Sequence, residues 1–153
     1  MSKVYIICGS PASGKTTYGK KLAKEKRATF MDIDQSTERL VRLALSKSGR
    51  NEYDRDSKYF KENFREPIYQ TLFDIAKDNL DWTNVVLVGP FTQEIRLKNW
   101  PEILVKELGS EVEIHYVSCN SEVRYNRMLG RKSKRDKAKL SDWESFNKYY
   151  GDE

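Results

Sequence analysis

The sequence predicts an α/β fold, a parallel sheet of about four to five strands flanked by helices, and three observations support this. Two short runs, Val4–Cys8 and Val85–Val88, are continuously apolar, which is typical of strands buried on both faces. Segments with helical periodicity separate the apolar runs, as the crossovers between parallel strands require. A loop containing two glycines follows the first run directly and leads into residues that favour a helix.

The 153-residue chain has the usual size of one domain, so we expect a single domain over residues 1–153. No apolar run approaches the roughly 18 residues that a membrane-spanning helix needs. The first predicted strand follows Ser2 and Lys3 with no cleavable signal. We therefore expect a cytoplasmic protein with no membrane partner.

The cysteines and the single histidine do not indicate a metal site. Cys8 and Cys119 lie at the ends of apolar, strand-like runs, which favours buried thiols over a disulfide or a metal pair. His115 alternates with apolar residues within residues 112–117, which favours a strand position over a role as ligand or base. A zinc site is therefore not expected.

The loop after the first strand fits the phosphate-binding pattern G-x-x-x-x-G-K-S/T at every fixed position. It reads Gly9-Ser10-Pro11-Ala12-Ser13-Gly14-Lys15-Thr16, and Thr17 follows. Between a strand and a helix, such a loop turns its backbone N–H groups inward to form an anion-binding nest. We expect Lys15 to reach the β and γ phosphates of a nucleotide and Thr16 to bind Mg²⁺. This interpretation, a P-loop NTPase, is favoured over a glycine turn that only caps a helix.

The run 28–31 predicts a second strand, and Asp32 and Asp34 follow it. Ligands of open α/β sheets bind beyond the C-terminal ends of the strands, so we expect both acids to face the cavity of the phosphate loop. On an extended chain they would point the same way. One hypothesis makes Asp34 the general base toward an acceptor hydroxyl and Asp32 a residue of the metal site. The alternative is that the acids cap a helix beginning near Ser36.

The middle of the chain is predicted to be helical. One helix is expected over Thr37–Lys47, and a longer region from Phe60 to Leu80 has apolar residues every four positions. Pro67 either kinks this region or opens a second helix. The sequence does not show which arginine of this region, or of the one after the third strand, contacts an acceptor: Arg39, Arg42, Arg55, Arg65 or Arg96.

The third strand ends at Gly89, where many phosphate-loop enzymes carry an aspartate for magnesium. The acidic role is therefore expected to fall on Asp32 or Asp34. Trp100 and Pro101 predict the start of a helix over residues 102–108, and residues 113–117 predict a fourth strand.

Residues 124–139 hold eight basic residues and one acid, a local charge of +7 in a chain of net charge +5. Arg127 and Arg131 are four residues apart, at and just beyond the end of a helix predicted over residues 121–129, so they share a face. Two guanidinium groups on one phosphoryl group would stabilise the charge of its transition state. The segment 128–140 is predicted to be a helical lid that closes over ATP, before a last helix over Ser141–Tyr150. The alternative is a solvated basic loop.

Taken in chain order, these motifs resemble the small P-loop kinases. Within them, the sequence is most similar to phage-type polynucleotide 5′-hydroxyl kinase domains and to the AAA_33-type predicted ATP-binding kinases. The resemblance rests on residues 9–17, on Arg96 with Trp100, and on Arg127 and Arg131 with the helix behind them. It implies ATP with Mg²⁺ as the phosphoryl donor and a hydroxyl as the acceptor.

Two departures leave the acceptor open between a nucleic-acid 5′ end and a small metabolite or nucleoside. The base aspartate of the polynucleotide kinases would fall at Ser36, and they carry an aspartate where Gly89 stands. Asp32-Ile33-Asp34-Gln35 is instead similar to the acceptor-binding acids of shikimate and gluconate kinases. The sequence thus predicts a kinase whose catalytic residues are Lys15, Asp34, Arg127 and Arg131. The remaining alternative is a module that senses ATP without transferring phosphate.

Overall fold

A computed structural model describes residues 2–119 of the protein, and strands and helices alternate along them. The strands of this region are β1 (Lys3–Cys8), β2 (Ala28–Asp32), β3 (Asn84–Val88) and β4 (Glu111–Tyr116). The helices are α1 (Lys15–Lys26), α2 (Ile33–Lys47), α3 (Lys58–Asn63), α4 (Arg65–Asn79) and α5 (Trp100–Leu108), with a 3-10 turn at Glu94–Arg96. The helices predicted over residues 121–129 and 141–150, and the lid over 128–140, lie outside the described residues.

The strands form one parallel sheet in the order β2-β3-β1-β4. The two central strands, β3 and β1, are those whose sequences are apolar without alternation. In register, Val88 lies beside Ile7 on one side and beside Asp32 on the other. The C-terminal ends of β1, β2 and β3 therefore meet at one edge of the sheet, and the predicted parallel α/β fold is confirmed.

Helices cover both faces of this sheet. On one face, α1 packs Leu22 and Ala23 against Tyr5, Ile7 and Val86. On the other, α4 and α5 contact the alternate side chains of the same strands, in a cluster that includes Val4, Ile6, Leu72, Leu87 and Leu104. Each buried side chain of this kind contributes about 1.5–3 kcal/mol. The end of β1, and with it the phosphate loop, is thus held from both sides.

Helix α2 begins earlier than the sequence indicated. Ile33 is its first residue, three positions before Ser36, and Asp32 is the N-cap, accepting a hydrogen bond from the Gln35 amide at 3.1 Å. Asp34 therefore lies in the first helical turn, and the expectation that both acids leave an extended chain in one direction was wrong. The physical reason is burial of Ile33, which is only 2% exposed and packs in the main core.

The long apolar region splits at Phe64, between α3 and α4. Ser57 caps α3, its hydroxyl accepting from the Phe60 amide at 3.1 Å. Pro67 is the third residue of α4, where a missing N–H costs no intrahelical bond. Of the two alternatives for Pro67, the second helix is therefore nearer to the structure, although the helix opens two residues before the proline.

The start of α5 and the burial of the two cysteines differ slightly from the predictions. Helix α5 starts at Trp100 rather than Glu102 and ends at Gly109, whose φ of 63° is the left-handed C-cap conformation. Cys8 is buried as predicted, whereas Cys119 is only partly buried, and no disulfide joins these two residues. Among residues 2–119, every helix is too short or too polar to span a bilayer.

Candidate nucleotide and acceptor site

A cavity of about 720 Å³ opens at the C-terminal edge of the sheet. The phosphate loop and the start of α1 form one end of it, and residues before and within α3 and α4 form the other. The ends of β2 and β3 lie between them. This is the position expected for ligands of an open parallel sheet, and the volume is typical of small-molecule sites.

The backbone of the phosphate loop is shaped by residues with positive φ. Gly9 has φ 146°, and a Cβ at this position would lie 2.3 Å from the Val117 carbonyl oxygen, so the position excludes any side chain. Ala12 and Gly14 also have positive φ, at 60° and 100°. Residues of positive φ placed among residues of negative φ turn successive N–H groups to one side, as an anion-binding nest requires.

The polar side chains of the loop fit a phosphate. The Lys15 ammonium donates to the Ser10 carbonyl at 2.8 Å and lines the cavity. The Ser13 hydroxyl is buried and has no hydrogen-bond partner within residues 2–119. A buried hydroxyl without a partner costs about 1–3 kcal/mol, and a phosphate oxygen in the nest would satisfy it.

Thr16 and Asp32 meet beside the loop. The Thr16 hydroxyl donates to Asp32 Oδ2 at 3.0 Å, while Asp32 Oδ1 caps α2. These are the oxygen donors that Mg²⁺ takes, and no cluster of three or more His, Cys, Asp or Glu residues suited to a metal occurs between residues 2 and 119. Two protein oxygens fit an ion that takes its other ligands from phosphates and water.

Gly89, at the end of β3, stands where many phosphate-loop enzymes carry an aspartate, and the structure leaves no room for one. A Cβ on Gly89 would lie 2.6 Å from Ile33 Cδ1 and 2.9 Å from the Phe91 ring. An aspartate at this position would displace the buried start of α2. Asp32 is instead the carboxylate that accepts a hydrogen bond from the Thr16 hydroxyl, and its role in a metal site stays a prediction.

Two variants of Asp32 separate its capping role from the metal role predicted for it. Asparagine caps a helix as well as aspartate does, so Asp32→Asn should leave the free energy of unfolding nearly unchanged, whereas Asp32→Ala should lower it by about 1 kcal/mol. Both variants should need more Mg²⁺ for phosphoryl transfer. Urea unfolding and Mg²⁺ titration of the rate measure the two effects. Wild-type Mg²⁺ dependence in Asp32→Asn would remove Asp32 from the metal site.

Asp34 lines the cavity and is held by Arg55. Arg55 Nη1 lies 3.4 Å from Asp34 Oδ1, and Nη2 donates to the Asp34 carbonyl and the Thr37 hydroxyl, each at 3.4 Å. The Arg55 side chain is 12% exposed and lies over the Phe60 ring, 5.6 Å from its centroid. The first turn of α2, with Asp34 on it, is thus fixed toward the cavity.

A second arginine lines the far end. Arg65 binds Glu94 through Nε and Nη2, with the shortest contact 2.7 Å, and lies 5.2 Å from the centre of the Tyr69 ring. The Tyr69 hydroxyl accepts from the Phe91 amide at 3.3 Å. Burial raises the pKa of Tyr69, so this hydroxyl stays neutral. Phe91 has φ 46° and is 1% exposed, which makes the bond a buried anchor for a strained turn.

Two of the five arginines left open by the sequence line the cavity, Arg55 and Arg65. Arg42 instead binds Glu52 at 3.1 Å and lies over the Tyr53 ring. Arg39 and Arg96 do not line this cavity. Arg127 and Arg131 lie outside the described residues, so their predicted place on the transferring phosphoryl group stays a prediction.

Residues 4–151 match the AAA_33 family, described as an AAA domain. The chain belongs to the AAA_33 family. No curated protein sequence matches the chain significantly. The predicted membership is thereby confirmed, while the similarity to phage polynucleotide kinases stays a prediction.

Solved structures of small P-loop kinases share the fold of this AAA_33 chain. One is a sugar kinase from Janibacter sp. HTCC2649, with 16% identity and a TM-score of 0.61, covering 98% of this chain and 78% of that one. Another is the shikimate kinase of Acinetobacter baumannii in complex with shikimate, with 20% identity, a TM-score of 0.55 and the same coverage. A third is a gluconokinase from Sinorhizobium meliloti 1021, with 13% identity and a TM-score of 0.57, covering 94% and 74%. At such identities the likeness establishes the fold.

Two cavity residues of the AAA_33 chain were not foreseen from the sequence. Tyr18 and Lys21 line the cavity directly after the phosphate loop, one helical turn apart on α1. Their three-residue spacing directly after the loop was a usable signal, because residues three apart share a helix face.

The Tyr69 anchor predicts a measurable stability effect. Tyr69→Phe keeps the ring but leaves the buried Phe91 amide without its acceptor, so the free energy of unfolding should fall by about 1–3 kcal/mol. Urea denaturation measures this, with Tyr59→Phe as the control, because Tyr59 contributes its ring to a contact with Phe64. Equal stability of the two variants would show that the hydroxyl does not hold the turn.

Proposed function

We propose that this AAA_33 protein is a kinase that transfers the γ-phosphoryl group of ATP to a hydroxyl of a small, polyhydroxylated molecule. The observation that carries the proposal is the shared cavity, because Lys15 and Asp34 both line it. A nucleotide phosphate tail in the nest would point toward Asp34. The solved structures with this fold that are named as sugar, shikimate and glucono kinases support the acceptor class.

Each described residue has a definite chemical task in this proposal. The loop amides and Lys15 hold the phosphates and offset negative charge that develops in the transition state. Asp34, oriented by Arg55, accepts the proton of the acceptor hydroxyl as its oxygen attacks phosphorus. Thr16 and Asp32 would hold Mg²⁺, which would neutralise phosphate charge when bound. Arg127 and Arg131 are proposed to contribute from the remaining part of the chain.

The acceptor end suits a molecule with several hydroxyl groups. Its wall combines the apolar surfaces of Phe60, Ile68 and Tyr69 with the Arg55–Asp34 ion pair and Arg65. A hydroxyl group both donates and accepts hydrogen bonds. A carboxylate can accept from it and a guanidinium can donate to it, so the paired groups satisfy both. A cavity of about 720 Å³ with this lining favours a small acceptor over a polynucleotide end.

A transfer assay tests the proposal. The full chain, labelled ATP and Mg²⁺ are incubated with a panel: a hexose, gluconate, shikimate, a nucleoside and a 5′-hydroxyl oligonucleotide. We expect label on one of the small molecules, with little dependence on salt. Label on the oligonucleotide, with a rate that falls steeply as salt rises, would establish the nucleic-acid alternative instead. Tight ATP binding with no label on any acceptor would favour the sensing module.

A further inference from the structure

A line of hydrogen bonds runs from the nucleotide end of the cavity to the outer part of the sheet. The Tyr18 hydroxyl, on the first turns of α1, is bonded to His115 Nδ1 on β4. His115 Nε2 lies 2.7 Å from Glu113 Oε1, and Glu113 Oε2 lies 2.6 Å from the Lys3 ammonium. The mechanism proposed above uses none of these four groups.

The chemistry of the line fixes its proton positions. Hydrogen bonds from Lys3 and His115 lower the pKa of Glu113, so its carboxylate is ionised and only accepts. His115 Nε2 must therefore carry a proton. In the neutral imidazole Nδ1 is then an acceptor, and the Tyr18 O–H donates to it. The Tyr18 oxygen presents only lone pairs to the cavity.

A second proton on His115 reverses this arrangement. Nδ1 then becomes a donor and the Tyr18 oxygen accepts from it. The Tyr18 proton stays on its oxygen and turns toward the cavity, so one proton is taken from solvent and none is lost. Tyr18 lines the cavity directly after the phosphate loop, one helical turn before Lys21. Its hydroxyl thus changes from an acceptor to a donor at a wall that faces an anionic ligand.

We propose that His115 is a positioning residue for the nucleotide: through the Tyr18 hydroxyl, it links nucleotide binding to the uptake of one proton. The inference rests on the nucleotide-binding half of the proposed function and is independent of the acceptor. A phosphate-bearing ligand favours the donor state of Tyr18, so affinity should be higher when His115 is protonated.

Other titratable groups of the described part of the chain lie around His115. From β1, the Tyr5 ring faces it, its centroid being 6.2 Å from that of His115, and Lys3 binds Glu113, which in turn binds His115. The Lys26 ammonium of α1 lies 5.9 Å from the centroid of the Tyr5 ring. On β4, the neighbour of His115 is Glu113. The hydrogen bond to Glu113 raises the pKa of Lys3 further from neutrality. Among these groups, His115 is the one whose protonation exchanges the donor and acceptor roles at the Tyr18 hydroxyl.

Nitrogen NMR tests the starting state directly, because His115 is the only histidine of the chain. At about pH 8, where an ordinary histidine is neutral, the ¹⁵N shifts should show the proton on Nε2. A neutral form with the proton on Nδ1 would overturn the proposal. The spectrum needs no ligand and no activity.

Calorimetry with ADP and Mg²⁺ tests the linkage. At about pH 6, compared with about pH 8, wild-type affinity should gain about fivefold more than that of Tyr18→Phe, which keeps the ring and lacks the hydroxyl. In two buffers of different ionisation enthalpy, wild type should take up more protons than Tyr18→Phe or His115→Gln. The titration of the nucleotide itself is common to all three proteins and cancels.

The outcomes separate this inference from the proposed function. Binding with the same pH dependence in wild type and Tyr18→Phe would overturn the linkage alone. No nucleotide binding at either pH would overturn both. A linkage that is present in a protein with no transfer activity would support this inference and leave only the kinase proposal in error.

Discussion

Replacing Lys15 with alanine is expected to lower the rate of phosphoryl transfer by about a thousandfold while the protein stays folded. The Lys15 ammonium lines the cavity and donates a hydrogen bond to the loop carbonyl of Ser10. Without it, charge that develops on the phosphoryl oxygens loses a counter-charge in a site where the loop amides alone remain. Initial rates with labelled ATP and the acceptor found in the panel measure the loss.

Lys24→Ala is the matched control for this variant, because Lys24 is exposed on the same helix and does not line the cavity. It should transfer at the wild-type rate. Both variants should unfold within about 1 kcal/mol of wild type, since neither side chain belongs to the buried core. Full activity in Lys15→Ala would show that the phosphate assignment is wrong.

Asp34→Asn is expected to slow transfer by about 10²–10⁴-fold with little change in ATP affinity. The amide has the size of the carboxylate and can still accept from Arg55, but it cannot take the proton of the attacking hydroxyl. Single-turnover rates and nucleotide affinity, measured on the same protein, separate the two effects.

Asp78→Asn, an exposed change near the end of α4, controls for loss of one negative charge. A wild-type transfer rate in Asp34→Asn would exclude Asp34 as the base. The ATP-sensing alternative predicts that Asp34→Asn has no functional effect, so this single variant discriminates between a kinase and a binding module.

The sheet and the phosphate loop could be predicted because their signals are local. The apolar run of β1 and the loop 9–16 are contiguous, and their order along the chain already implies a parallel sheet. The start of α2 was misplaced because Ile33 is recruited by the core, and burial outweighed the capping preference of Ser36.

The acceptor end could not be predicted because its contacts are distant in sequence. Arg55 reaches Asp34 across 21 residues, and Arg65 reaches Glu94 across 29. From the sequence alone, five arginines were equally good candidates for contacting an acceptor. Only the fold shows which two of them line the cavity. The exclusion of a side chain at Gly89 likewise depends on the position of Ile33.

The turn after β3 has a consequence for how such a protein could acquire new substrates. The Pro90 carbonyl accepts from the Gly9 amide at 3.2 Å, and the next residue, Phe91, is anchored by Tyr69. Substitutions in this turn would therefore disturb both catalysis at the phosphate loop and recognition of the acceptor. Phe60, on α3, belongs instead to a separate small cluster with Val41 and Leu45. Laboratory evolution toward another acceptor should therefore accumulate changes along α3 and the segment before it, and spare the turn.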